Sequence, residues 1–124
     1  MGRGPAGGDG GDALEGEIFC ARRLEVSTAQ ELVELVSGQA RESLLDSDGL
    51  DPMRDNGVRA GWAARGLVAY VVHLGGATLT EEISVAAGDL LADLRHLFDA
   101  LGLDWDAALA SADMHYRAEI VGEL

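Results

Sequence analysis

The chain has one cysteine (Cys20), no lysine, two prolines and few aromatics among its 124 residues. A lone cysteine excludes an internal disulfide, and with it a fold stapled for an oxidising compartment. Scarce aromatics leave leucine, valine and alanine to fill the core, which favours close-packed helices. No apolar run approaches the roughly 18 residues needed to span a bilayer, so no membrane partner is expected. The start, MGRGPAGGDGGDALEGE, lacks the continuous apolar centre of a secretory signal, and a cytoplasmic location is expected. All nine cations are arginines, set against 22 acids, for a net charge of −13. Direct contact with a nucleic-acid backbone needs clustered Lys or Arg and is not expected here. The charge suits a cation site or a basic partner instead. An acidic decoy imitating nucleic acid is less favoured, because the negative charge is spread along the chain without a periodic ladder.

What is present is 48% apolar residues, at a length sufficient for one domain with a real core. Residues 1–16 are glycine-rich with almost no large apolar side chain and read as a disordered tail. Residues 17–124 read as a single helical domain. Within it, Glu17 to Val26 is a short strand or extended arm that would lie against the helices or pair with a second subunit.

Ser27 and Thr28, with Gln30 and Glu31 three residues on, form a capping-box signal. A first helix then runs to about Asp46, weakened at Gly38. Residues 46–57 are dense in turn formers and read as a loop. A second helix spans about Val58 to Leu74, apolar nearly all round in its second half. That pattern marks the central helix or an oligomer interface, with Trp62 and Tyr70 as core. Gly75 and Gly76 end it, and His73 near its end fits contact with the last carbonyls or a facing subunit. Thr78 with Glu81 offers another capping box. The third helix aligns Ile83, Ala87, Leu90, Leu94, Leu97 and Leu101, and Gly102 terminates it. Asp104 caps a fourth helix with Trp105, Leu109, Ala112, Tyr116 and Ile120 in line. The expected fold is all-α, a four-helix bundle whose last two helices form a tight hairpin, assembled as a homodimer.

At 100° per residue, Glu82, Asp89, Asp93 and His96 share an arc of about 60° beside the apolar stripe. Like charges on one face repel unless a cation offsets them. Carboxylates one turn apart with an imidazole beyond suit a divalent ion, Mg²⁺ or Mn²⁺ before Zn²⁺, and His115 could add a ligand across the hairpin. The plainer reading is a solvated helix flank with His96 covering a core edge. Cys20 has no histidine at a useful spacing and reads as an unreactive small side chain. Ser37-Gly38 and Ser47–Gly49 lack the strand–turn–helix context of a nucleophile elbow. GGDGG is followed by no GK[ST] and is not a phosphate loop.

The stretch AGDLLADLRHLFDALGLDWDAAL resembles the second half of the MazG-like all-α nucleotide pyrophosphohydrolases, over about Glu81 to Arg117. The resemblance places Asp89 at that family's metal-binding aspartate and implies a Mg²⁺ cofactor and a nucleotide ligand. Ala86 stands where the family has a glutamate, and Trp62 to His73 contains no carboxylate where a second acidic pair is expected. Glu31 and Glu34 have the Glu-x-x-Glu spacing but lie far upstream. In texture, Trp62-Ala63, Asp89 to His96 and His115 to Glu119 are similar to small helical proteins of actinobacteria and their phages, a likeness that brings no activity. Two functions follow. The first is a small acidic helical protein acting by self-association or partner binding without catalytic residues. The second is Mg²⁺-dependent hydrolysis of a nucleoside triphosphate, with Glu82, Asp89 and Asp93 holding the metal and Glu31 or Glu34 joining from another helix.

Overall fold

The computed structural model describes Phe19 and residues 24–39, 43–45 and 47–122. The expected tail at 1–16 and most of the expected arm at 17–26 lie outside the described residues. Among the described residues four α-helices follow in order: α1 (Ala29–Ser37), α2 (Pro52–Leu74), α3 (Ile83–Leu101) and α4 (Trp105–Val121), with a 3₁₀ turn at Gly76–Thr80 between α2 and α3. Among the described residues there is no strand, and no helix is long and apolar enough to cross a membrane.

The capping box at the start of α1 forms as its sequence requires. The Thr28 hydroxyl accepts from the Glu31 N–H at 3.2 Å, and the Glu31 carboxylate accepts from the Ser27 and Thr28 N–H groups at 2.8 and 2.9 Å. Those two backbone donors, Thr28 first, hold the Glu31 carboxyl below its usual range. A further device joins α1 to α3. Ala29 N donates to Glu81 O and Ile83 N donates to Ser27 O, both at 2.9 Å, around an antiparallel bridge between Thr28 and Glu82. The first N–H of a helix has no partner inside its own helix. Here each of the two helix starts supplies the other's missing acceptor.

α1 ends at Ser37, well short of the expected Asp46. The Ser37 hydroxyl bonds back to Val33 O at 2.7 Å, and the Gly38 and Gln39 N–H groups close three-residue turns onto Leu35 and Val36. That tightened last turn stops the helix where the sequence suggested only a weak point. α2 starts six residues earlier than expected: Asp51 caps it by accepting from Arg54 N at 3.1 Å, with Pro52 in the first turn. Proline there loses a donor that would have no helical partner anyway. The expected box at Thr78 and Glu81 does not start α3. That segment is the 3₁₀ turn, and Glu82 precedes the helix with no side-chain cap bond. Gly102 terminates α3 in the left-handed region, φ 68°, with Leu103 N bonding to Phe98 O at 2.9 Å. Asp104 then caps α4 through Ala107 N at 2.9 Å.

Two small core clusters sit where α1, α2 and the start of α3 converge, and Val58 is also fully buried in the first half of α2. Ala29, Val71 and Ala86 form one cluster, flanked by Val33, Leu67, Tyr70 and Leu79. Leu32, Val36 and Ala64 form the next, flanked by Phe19, Val26, Leu67 and Ile83 among others. Leu67 touches both. Alanine at these crossings lets the helix backbones approach closely. α2 contacts each of the other three helices, as expected of a central helix. Its second half is less buried than expected, however: Val71 is enclosed, while Val72 and Leu74 are exposed, and Trp62, expected in the core, is exposed too.

Candidate interaction surface

The third and fourth helices do not pack along their lengths as a tight hairpin. Both are anchored to α2, at different places. α3 crosses α2 at Val71 and Ala86, and the Tyr70 hydroxyl donates to Asp93 Oδ2 at 2.7 Å. Beyond Asp93 the helix leaves the core, and its apolar stripe emerges from half-buried Leu90 and Leu94 to exposed Leu97 and Leu101. At the corner after Gly102, Trp105 meets Phe98 edge-on, ring centroids 5.1 Å apart and planes at 86°, with the Arg95 guanidinium 5.9 Å from the Trp105 ring centroid. Aromatic and cation–π contacts of this kind fix the angle of a turn with little buried area.

α4 then returns to the other end of α2. Asn56 Nδ2 donates to Glu119 O at 2.9 Å, Arg59 Nε pairs with Glu119 Oε2 at 3.2 Å, and Arg59 Nη1 donates to Asn56 Oδ1 at 2.8 Å. These groups border a shallow cavity of about 330 Å³ that Ala60, Tyr116 and Ile120 also line. Gly122 at the end of α4 lies against Pro52. The three long helices thus make a frame: α2 is one side, α3 is tied to it along its first half as far as Asp93, and α4 is tied to it near its C-terminal end. The parts of the predicted hairpin seam that lie away from the core remain exposed. Leu97, Leu101, Leu109, Tyr116 and Ile120 each retain between 48% and 62% of their exposure.

The residues expected to bind metal have other surroundings. Glu82 precedes α3 on the bridge side, Asp89 and His96 are exposed, and Asp93 is bonded to Tyr70. Glu31 is consumed by its cap, and Glu34 accepts from Gln30 at 3.2 Å. His115 is exposed on α4. Among the described residues, no three His, Cys, Asp or Glu side chains come together as a group that could hold a metal ion. The Tyr70 hydroxyl, by contrast, is perturbed: its hydrogen bond to Asp93, with desolvation and the charge of Asp93 and its neighbours adding, pushes it up to about 12. Sequence reasoning placed Tyr70 in the core and missed its role as the tie between α2 and α3. It also missed the Asn56–Arg59–Glu119 tie, whose partners lie 63 residues apart, a separation that no local pattern reveals.

No family model, curated protein or solved structure matches the chain.

Proposed function

We propose that this protein works by association, without chemistry of its own, presenting the apolar inner faces of α3 and α4 to another polypeptide. One observation carries the reading: Leu97 and Leu101 on α3 and Leu109, Tyr116 and Ile120 on α4 stay about half exposed or more, although each belongs to a row of apolar residues on its helix. Soluble chains seldom leave a contiguous apolar surface of this kind open, and such patches mark binding sites. Specific polar ties to α2, at Asp93 midway along α3 and at Glu119 near the end of α4, also keep the arms in place. Pyrophosphohydrolysis draws no comparable support, because the acids of α3 are not gathered into a ligand set and Asp93 is engaged by Tyr70.

The test compares the wild-type protein with Leu109→Glu. The wild type is expected either to self-associate or, as a monomer, to bind the apolar fluorophore ANS. Leu109→Glu is expected to abolish whichever is seen while the helical circular dichroism is retained. A wild-type monomer that binds no ANS would contradict the reading.

A further inference from the structure

We infer that the occupant of the open α3–α4 face is a second copy of this chain, the arms of two frames interlocking into a two-fold helical bundle whose affinity rises with salt. The inference rests on the association reading above and adds the partner and the control of its binding.

The area supports a second copy. A half-exposed side chain of leucine or tyrosine size offers about 80–100 Å². Leu97, Leu101, Leu109, Tyr116 and Ile120, with smaller shares from the half-buried residues beside them, therefore present roughly 500–600 Å² of apolar surface. Interface cores are about 65% apolar, so this corresponds to about 800–900 Å² per partner, the size of a standard stable interface. The shape supports it too. A two-fold contact needs a surface that is both donor and receiver, and two arms that do not pack along each other offer both: the exposed apolar row of each arm can lie against that of the other copy. Such closure would restore the four-helix packing that the stripes encode and that the single chain does not achieve.

The charges set the sign of the salt effect. Residues 82–121 carry eight acids and two arginines. The five described arginines are already engaged within the chain: Arg59 with Glu119, Arg65 with Gln39 O, Arg95 over Trp105 and Arg117 with Asp113, while Arg54 also has a partner. Among the described residues, Asp89, Asp99 and Asp106 have no cation beside them. A second copy brings the same surplus, so the rims of the assembly repel and added salt relieves the repulsion. The screening length falls from about 10 Å at 0.1 M to about 3 Å at 1 M. A cationic partner helix would behave in the opposite way, binding more weakly as salt rises.

Sedimentation equilibrium of the full chain at 50 and 500 mM NaCl decides the matter. The expected result is a dimer whose Kd falls about 3- to 10-fold at the higher salt, with Asp99→Asn/Asp106→Asn tightening the low-salt dimer. Leu101→Glu should raise Kd at least ~100-fold, since it sets a carboxylate in the apolar seam. A wild-type monomer at tens of micromolar in both salts would overturn the second copy. If that monomer bound ANS in a Leu101-dependent way, the association reading would stand with a foreign partner, and if it bound none, both would fall. A dimer indifferent to Leu101→Glu would place the contact on another face and reject both. A dimer that loosens with salt would overturn the charge argument.

Discussion

Replacing Val71 by alanine tests where the folding energy of the chain resides. Val71 is fully enclosed between Ala29 and Ala86 at the point where α1, α2 and α3 meet. Removing two buried methyl groups forfeits about 0.8 kcal/mol each in transfer energy, and the unfilled space adds to that, for about 2–3 kcal/mol in all. A domain of this size has about 5–15 kcal/mol of stability, so the melting temperature should fall by about 10–20 °C. Leu101→Ala removes a larger side chain, but one that is 61% exposed, and should cost less than about 0.5 kcal/mol in the single chain. Urea melts followed by circular dichroism would measure both variants. The series should run over protein concentration, because linked association adds stability that grows with concentration. At the lowest concentration the leucine should matter little and the valine much, and the leucine effect should grow as concentration rises. Equal losses at high dilution would refute the reasoning, since they would mean that the arms are packed within one chain.

Three further outcomes follow from the polar ties. Asn56→Ala removes the donor to Glu119 O and should cost about 0.5–1.5 kcal/mol, with amide exchange of the last two turns of α4 accelerating first. Tyr70 should titrate near 12, as followed by phenolate absorbance, and return toward 10 in Asp93→Asn. Because the folded chain holds this proton more tightly than the unfolded chain, Tyr70 lowers stability as pH rises above 10, and Asp93→Asn should lessen that fall. For Glu31 the sign is reversed: its carboxyl is lowered by the Thr28 and Ser27 N–H groups, so its contribution is present above the unfolded value near 4.5 and is lost as pH falls through the lower folded value. The stability gap between the wild type and Glu31→Gln should therefore be larger at pH 7 than at pH 3.

The starts and stops that were legible are those made by local chemistry. Thr28 with Glu31 and Asp104 cap as their spacing dictates, and Gly102 supplies the left-handed residue that α3 needs to end. Asp51-Pro52 carried the same kind of signal, an acid cap followed by proline, but the surrounding turn formers concealed it. The core was harder to read because its decisive members, Ala29, Ala64 and Ala86, are small. Alanine adds little to an apolar stripe, yet it is what lets helices cross closely. The open frame was illegible for a different reason. A stripe such as Leu90, Leu94, Leu97 and Leu101 states that a face is apolar, not what covers it, and the Tyr70–Asp93 and Asn56–Glu119 ties that hold the arms apart depend on distant residues. Of the acid stripe, Asp89, Asp93 and His96 do lie on one helix while Glu82 precedes it, and helical phase alone could not foresee that Tyr70 would engage Asp93.

The openness of the frame can be tested by disulfide trapping between Leu94→Cys and Ala112→Cys in a Cys20→Ser background. These two positions are equally far from the corner, and a tight hairpin would set them opposite each other. A disulfide needs Cα atoms about 4.4–6.8 Å apart. With the arms apart, no bond should form within a single chain at high dilution under mild oxidation. Rapid, complete formation of that intrachain bond would show that α3 and α4 close on each other, leaving no uncovered face for a partner to occupy.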